Sequence, residues 1–224
     1  MARNANTSEF YERYWQRLGR AISKRGFSVE QRKALLQAAL NGLPYGASVL
    51  DAGCGHGEFA AFLLNLGFAV TGVDISATAI AKAKHRCPGM RFEVASLEVA
   101  LPFADEEFAA VWCSELLEHL FDVHRALAEL NRVLQPRGKL VLTTPYHGLL
   151  KNIAIALVGF EKHYNPYLSH IRFFTRRSLA MCLDRAGFTV ERWRGVGRWW
   201  PLWKLHFVIA RKVGPPGLPP EIEG

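Results

Sequence analysis

Val49-Leu50-Asp51-Ala52-Gly53-Cys54-Gly55-His56-Gly57-Glu58-Phe59 is the stretch that decides the fold. A short apolar run ends in a carboxylate, three glycines follow at alternate positions, and a mixed segment begins at once, as expected where a strand meets a helix. Glycines let a backbone turn sharply and approach a ligand closely. Asp51 stands where it can accept a hydrogen bond from a ligand's ammonium. The order D-x-G-x-G-x-G differs from the dinucleotide fingerprint G-x-G-x-x-G, and so early an acid disfavours a pyrophosphate, which argues against NAD.

Working outward, short apolar runs alternate with amphipathic segments, the pattern of a parallel sheet with helices on both faces. The spacing predicts strands at 48–52, 69–74, 91–95, 109–113, 139–144, 189–194 and 204–210. Before them, 9–25 and 29–40 read as two helices. Ser76, Asp122 and Thr175 are placed to cap later helices, Pro136 and Gly138 to turn the chain into a strand, and Gly187 to take a left-handed C-cap. The last two strands, joined through 195–201, are expected to form an antiparallel hairpin at the sheet edge.

The second strand ends in Gly72-Val73-Asp74-Ile75-Ser76. It sets a carboxylate about twenty residues beyond the glycine loop, where it can accept both ribose hydroxyls of a nucleoside. With Leu101-Pro102-Phe103 and Arg132-Val133-Leu134-Gln135-Pro136-Arg137-Gly138-Lys139-Leu140, these elements resemble the class I S-adenosylmethionine-dependent methyltransferases from about Gly46 to Lys212. The resemblance implies an α/β, Rossmann-like, seven-stranded, mostly parallel sheet with helices on both faces and an antiparallel C-terminal edge strand. It implies S-adenosylmethionine as cofactor, with Asp51, Gly53 and Gly55 near the methionine part, Asp74 on the ribose and Ile75 against adenine. Ser96 and Leu97 would lie at the adenine edge, with Ser114 also at the cofactor. Many members carry Asp where this chain offers Ser96 or Leu97, so the adenine amino group would be met by Ser96 or by backbone.

Cys113-Ser114-Glu115-Leu116-Leu117-Glu118-His119 follows the fourth predicted strand. If helical, it puts Glu115, Glu118 and His119 on one face, able to bind a divalent cation. Otherwise the glutamates favour the positive end of a short helix while His119 packs locally. E-x-x-E-H resembles the O-methyltransferases of ubiquinone biosynthesis (type 11-like), the nearer in motif pattern, and the small-RNA 3′-terminal ribose methyltransferases. Both imply Mg²⁺ or another divalent cation that lowers the pKa of an acceptor hydroxyl. The RNA branch adds His170, which makes Glu115, Glu118, His119 and His170 the expected metal set. Glu118 and His119 are the expected catalytic residues, and His119 could instead act directly as general base.

The 224 residues suit one buried core and are too few for two ordinary domains. Residues 1–45 would form helices packing on or covering the cofactor site, 46–213 the cofactor-binding domain with 146–169 as a substrate cover, and 214–224 a disordered tail. The formal charge of +8 favours anionic partners without choosing among them. Four scattered cysteines form no C-x-x-C pair, and the N-terminus lacks a signal-peptide core, so reduced thiols and a cytoplasmic location are expected. Residues 153–160, the longest apolar run, are far too few to span a bilayer. In the C-terminal third, cations interleave with aromatics; Trp193 is expected in the core and Trp199 and Trp200 at the surface. That surface suits an RNA or a peripheral membrane contact. A cover rich in Leu, Ile and Phe rather than cations favours O-methylation of a small, hydroxylated apolar or aromatic substrate. RNA ribose 2′-O-methylation and a non-catalytic, methyltransferase-like binding protein are the alternatives.

Overall fold

The computed structural model describes residues 2–17, 26–164, 169–200 and 202–218. Helices α1 (Ala2–Arg17) and α2 (Gly26–Leu40) precede β1 (Ser48–Ala52), α3 (Glu58–Asn65), β2 (Ala69–Asp74), α4 (Ala77–Arg86), β3 (Arg91–Val94) and β4 (Phe108–Ser114). A 3₁₀ turn (Leu117–His119), α5 (Val123–Val133), β5 (Leu134–Pro145), α6 (Leu149–Val158), α7 (Phe160–His163), α8 (Arg176–Arg185), β6 (Phe188–Val196) and β7 (Leu205–Lys212) complete the chain.

The strands form one seven-stranded sheet in the order β3-β2-β1-β4-β5-β7-β6. β1 pairs in parallel with β2 on one side and β4 on the other, so the chain reverses its direction of travel across the sheet at β1. That reversal opens a crevice beyond the carboxyl ends of the strands, where ligands bind in open α/β sheets. β7 runs antiparallel between β5 and β6, so the hairpin as a whole makes the edge.

Alternation along the strands sends side chains to two cores. Leu50, Val111, Leu140, Leu142 and Val208 pack with Leu127 and Leu130 of α5 and Leu179 and Leu183 of α8. Val49, Trp112, Val141 and Phe207 pack with Leu36 of α2, Leu63 of α3 and Ile80 of α4. The expected caps form: Ser76 Oγ accepts from the Ala79 N–H at 3.1 Å and Asp122 Oδ1 from the Arg125 N–H at 2.9 Å. Thr175 and Ser178 make a reciprocal capping box. Gly187 takes the left-handed conformation, φ 78°.

Several boundaries differ from the sequence expectation. α1 runs Ala2–Arg17 rather than 9–25, and 18–25 lie outside the described residues. Pro136 and Gly138 do not form a separate turn; they lie within β5, where Arg137 has φ 62° and the register to β4 shifts between Phe108 and Ala110. Between these two pairs β4 advances from Phe108 to Ala110 while β5 advances from Leu134 to Lys139, so the residues around Arg137 are looped out of the ladder as an irregularity. Of the tail expected to be disordered, 214–218 are described, and 219–224 lie outside the described residues. The buried Asn131 Nδ2 donates to the carbonyls of Ala186 and Gly214 at 2.8 and 2.9 Å, and the Gly217 N–H donates to the Arg185 carbonyl at 2.8 Å.

Replacing Asn131 by Ala leaves two carbonyls with no amide donor. Urea unfolding is expected to show about 2 kcal/mol of lost stability with an unchanged m-value. A loss within error of zero would mean that the tail is not held through this side chain.

Candidate active site

The glycine loop is pinned back onto β2. The N–H groups of Gly53 and Cys54 both donate to the Val73 carbonyl, at 2.8 and 3.0 Å. The Gly55 N–H donates to Asp74 Oδ2 and the Ser76 N–H to Asp74 Oδ1, each at 2.9 Å. Gly55 has φ 51°, which favours glycine, and a Cβ there would lie 2.6 Å from the Trp15 ring, so a larger residue would have to displace that ring.

Asp51 and Asp74 end neighbouring strands as two buried carboxylates. Asp51 is 2% exposed, and its Oδ2 meets no hydrogen-bond partner among the described residues. Burial first, then the charge of Asp74, push its pKa up to about 8. Burial also raises Asp74, opposed by the Ser76 and Gly55 N–H groups. An orphaned buried carboxylate oxygen is costly unless a cation or donor meets it, and an α-ammonium supplies both. These residues therefore fit the amino-acid end of S-adenosylmethionine.

The remaining predicted cofactor residues are placed less uniformly. Ile75 is partly exposed just past β2. Ser96 Oγ accepts from the Glu98 N–H at 3.2 Å, whereas the Leu97 side chain belongs to the hydrophobic core, leaving only its backbone for a ligand. Ser114 commits its hydroxyl to Arg32 at 2.9 Å and Thr143 at 2.7 Å. That bonding makes its side chain part of the wall rather than a free ligand group.

α1 supplies residues that the sequence reading missed. The Glu12 carboxylate accepts from the Thr78 N–H at 3.3 Å, and the Lys82 ammonium donates to the Trp15 carbonyl, which fastens α1 to α4. Trp15 stacks at a tilt on His56, centroids 5.4 Å apart, and Tyr11 meets His119 edge-on at 5.8 Å. Burial raises the Tyr11 hydroxyl pKa, opposed by a hydrogen bond with Ser169. The run Phe10-Tyr11-Tyr14-Trp15 was the available signal: four aromatics on two turns of an N-terminal helix.

The Glu-His segment does not form the helical face expected of it. Glu115 has φ 50° and precedes the 3₁₀ turn, so Glu115, Glu118 and His119 do not stack at i, i+3 and i+4. Instead the Glu115 carboxylate pairs with Arg32 of α2 at 2.7 Å. Glu115 is thereby removed from the expected metal set. Arg32 bridges Ser114 and Glu115 while lying over the Phe59 ring, 5.2 Å from its centroid.

Glu118, His119 and His170 do converge: one ligand atom from each lies within 4.8 Å of the others. Glu118 is 0% exposed, its Oε1 has no partner among the described residues, and Oε2 accepts from Thr144 Oγ1 at 3.3 Å. Burial pushes its pKa up to about 8, Glu115 adding to the shift and Thr144 and Arg32 opposing it. His119 Nδ1 lies 2.9 Å from the Ser169 carbonyl, which can only accept, so Nδ1 carries the proton and Nε2 is left basic. Burial lowers the pKa of both His119 and His170, whose ring centroids are 4.9 Å apart. The N–H groups of Ile171 and Arg172 donate to the Glu118 carbonyl at 2.9 and 3.0 Å, fixing the segment that carries His170 against the 3₁₀ turn. Leu116 joins the cluster to the glycine loop, its Cδ2 3.0 Å from where a Gly53 Cβ would stand.

A second pair of histidines, His147 and His206, was not singled out from sequence. Both are buried, and His206 Nε2 has no partner among the described residues. The His206 ring meets Tyr146 at 5.0 Å and Trp193 at 5.3 Å, and His147 meets Phe173 at 5.1 Å. Burial foremost lowers each to about 4, so both are neutral at physiological pH.

A family model described as a methyltransferase domain matches residues 14–192. The chain is 33% identical over 151 residues to a malonyl-[acyl-carrier protein] O-methyltransferase of Pseudescherichia vulneris, covering 66% of this chain and 55% of that protein. It is 30% identical over 169 residues to a ubiquinone biosynthesis O-methyltransferase of Xanthomonas oryzae pv. oryzae, covering 68% and 70%. The chain spans about half to two thirds of the length of the malonyl-[acyl-carrier protein] relatives. Among solved structures, Burkholderia thailandensis 1,6-didemethyltoxoflavin-N1-methyltransferase superposes with a TM-score of 0.69 at 24% identity, covering 93% of this chain and 87% of that one. That likeness concerns the fold.

The burial of Asp51 makes its contribution to stability depend on pH. Because the folded pKa of Asp51 is about 8, above the usual 3.8, the stability this group contributes is full below pH 3.8 and is lost as pH rises to about 8. Asp51→Asn removes that loss. Its Tm without cofactor should exceed the wild type's increasingly as pH rises through this window, while S-adenosylmethionine affinity by calorimetry falls at least about tenfold. Equal Tm values across the window, or unchanged affinity, would refute this role for Asp51.

Proposed function

The chain belongs to the class I S-adenosylmethionine-dependent methyltransferases, and on that premise we propose that it transfers the cofactor's methyl group to an oxygen of a small, hydroxylated apolar or aromatic acceptor. The observation that carries the reading is the convergence of Glu118, His119 and His170 beside the glycine-loop crevice. Two groups of named relatives are O-methyltransferases, which supports oxygen as the receiving atom. The exposed Phe121, Ile171 and Phe173 give the neighbourhood of the cluster an apolar rim.

When bound, S-adenosylmethionine supplies an electrophilic methyl on its sulfonium. Asp51 in its ionised form would accept the ammonium, Asp74 the ribose hydroxyls, and Ile75 would pack on the adenine. Tyr11 and Trp15 of α1 exclude water from the loop side. As the acceptor oxygen gains the methyl group, its proton passes to His119 Nε2, which burial keeps unprotonated at neutral pH and which the Ser169 carbonyl holds in orientation. Positioning in line with the methyl group supplies much of the remaining acceleration.

A divalent cation is the second reading, favoured by the unpartnered, buried Glu118 Oε1. Glu118, His119 and His170 would hold it, one oxygen and two nitrogens, a set that suits a transition ion better than Mg²⁺. A bound cation lowers the pKa of a coordinated hydroxyl, which is the chemistry it would add.

The test is labelled methyl transfer from S-adenosylmethionine to separated lipid, small-molecule and RNA fractions of cells. Label is expected in the lipid or small-molecule fraction, lowered about a hundredfold or more by His119→Ala with cofactor binding retained. Activity surviving chelation would leave His119 acting as base. Loss on chelation, restoration by a divalent ion and mimicry by Glu118→Gln would establish the cation. Label in RNA alone, or His119→Ala with full activity, would overturn the proposal.

A further inference from the structure

A helix on a protein surface ordinarily turns apolar residues inward and polar ones to water. α6, Leu149-Leu150-Lys151-Asn152-Ile153-Ala154-Ile155-Ala156-Leu157-Val158, is built the other way round. None of its residues is buried. Its two polar side chains turn inward: Lys151 Nζ donates to the Tyr146 carbonyl at 2.7 Å, and Asn152 Nδ2 reaches the His147 carbonyl at 3.4 Å. Its apolar ones face out. Leu157 is 78% and Val158 87% exposed, and Leu149, Leu150, Ile153 and the following Phe160 are also exposed.

The hairpin loop between β6 and β7 stands beside it. The Tyr146 N–H donates to the Lys204 carbonyl at 2.9 Å, and the Tyr146 ring meets Trp203 at 5.6 Å. Burial and then the charge of Arg198 lower the Lys151 pKa, which places the two cations within electrostatic reach. This loop exposes Trp199 (71%) and Trp200 together with Arg198 and Lys204. Glu161 is the one acid in 146–164 and 196–204. An apolar face, paired tryptophans and framing cations on a chain of net charge +8 match the interfacial zone of an anionic bilayer.

We propose that α6, together with residues 198–200 and 202–204, forms a docking surface for an anionic lipid bilayer, with α6 lying in the plane of the headgroups. Ten residues extend about 15 Å, half the hydrocarbon thickness of about 30 Å, so α6 rests in the interface rather than crossing it. Among the described residues no helix is long and apolar enough to cross a membrane. A second copy of this chain fits less well, because self-pairing would bring the exposed Arg198 and Lys204 toward their own counterparts with only Glu161 to offset them. Docking stands apart from the transfer reaction proposed above and is tested without it.

The full chain is sedimented with phosphatidylcholine vesicles and with vesicles that also contain phosphatidylglycerol. Binding to the anionic vesicles is expected to be roughly tenfold tighter or more and to weaken with salt. Leu157→Glu/Val158→Glu and, separately, Trp199→Ala/Trp200→Ala should each reduce it by about tenfold or more. Calorimetry with S-adenosylmethionine should give wild-type affinity in both, which shows an intact fold and reads the cofactor site independently. No binding, or equal binding to neutral and anionic vesicles, would overturn the proposal. So would a concentration-dependent dimer that Leu157→Glu/Val158→Glu dissolves in the absence of vesicle binding.

Discussion

Two carboxylates buried at the ends of adjacent strands are the constraint around which the crevice is arranged. Asp74 is satisfied from within: the N–H groups of Gly55 and Ser76 bond its two oxygens, and in doing so set the path of the glycine loop and the start of α4. Asp51 is not satisfied, its Oδ2 lying buried without a partner among the described residues. Holding a carboxyl there costs stability whenever it ionises, and proteins keep such groups where a ligand will meet them. The sheet makes the arrangement possible because its order reverses at β1, placing both acids at the mouth of one crevice.

The helices before the sheet complete the site from outside it. α1 closes over the glycine loop through Trp15 and reaches the histidine cluster through Tyr11. α2 reaches the same region from the other side, where Arg32 ties Ser114 and Glu115 into one network. This guanidinium has a further effect: by pairing with Glu115 it leaves Glu118 as the carboxylate that converges with His119 and His170. A nearby acid that is buried and raised in pKa, beside a histidine held neutral, gives the pair different protonation behaviour near neutral pH.

What could be read from sequence was what local chemistry determines. β1 and β2 have the expected bounds because their apolar runs stop at Asp51-Ala52-Gly53 and Asp74-Ile75. The caps at Ser76, Asp122 and Thr175 form because each side chain needs only a backbone N–H three residues on. Long-range contacts were hidden. Nothing near Glu115 announces Arg32, 83 residues earlier in the chain, whose ion pair accompanies the left-handed backbone there and takes one acid out of the expected ligand set. The apolar run of α6 was legible, but its reversed orientation depends on Lys151 and Asn152 bonding to Tyr146 and His147. The neutral pair His147 and His206 lies 59 residues apart and becomes a pair only when β7 aligns beside β5.

Asp74 fixes the glycine loop and is the proposed acceptor of the ribose hydroxyls, so it offers the most direct measurement. Titration of S-adenosylmethionine into wild type and Asp74→Ala, by calorimetry with circular dichroism to verify the fold, should show binding to the wild type and a loss of at least about a hundredfold in the variant, as expected when charge-assisted bonds to two ribose hydroxyls are removed. A folded Asp74→Ala protein that binds S-adenosylmethionine as tightly as the wild type would contradict the assignment of this crevice as the cofactor site.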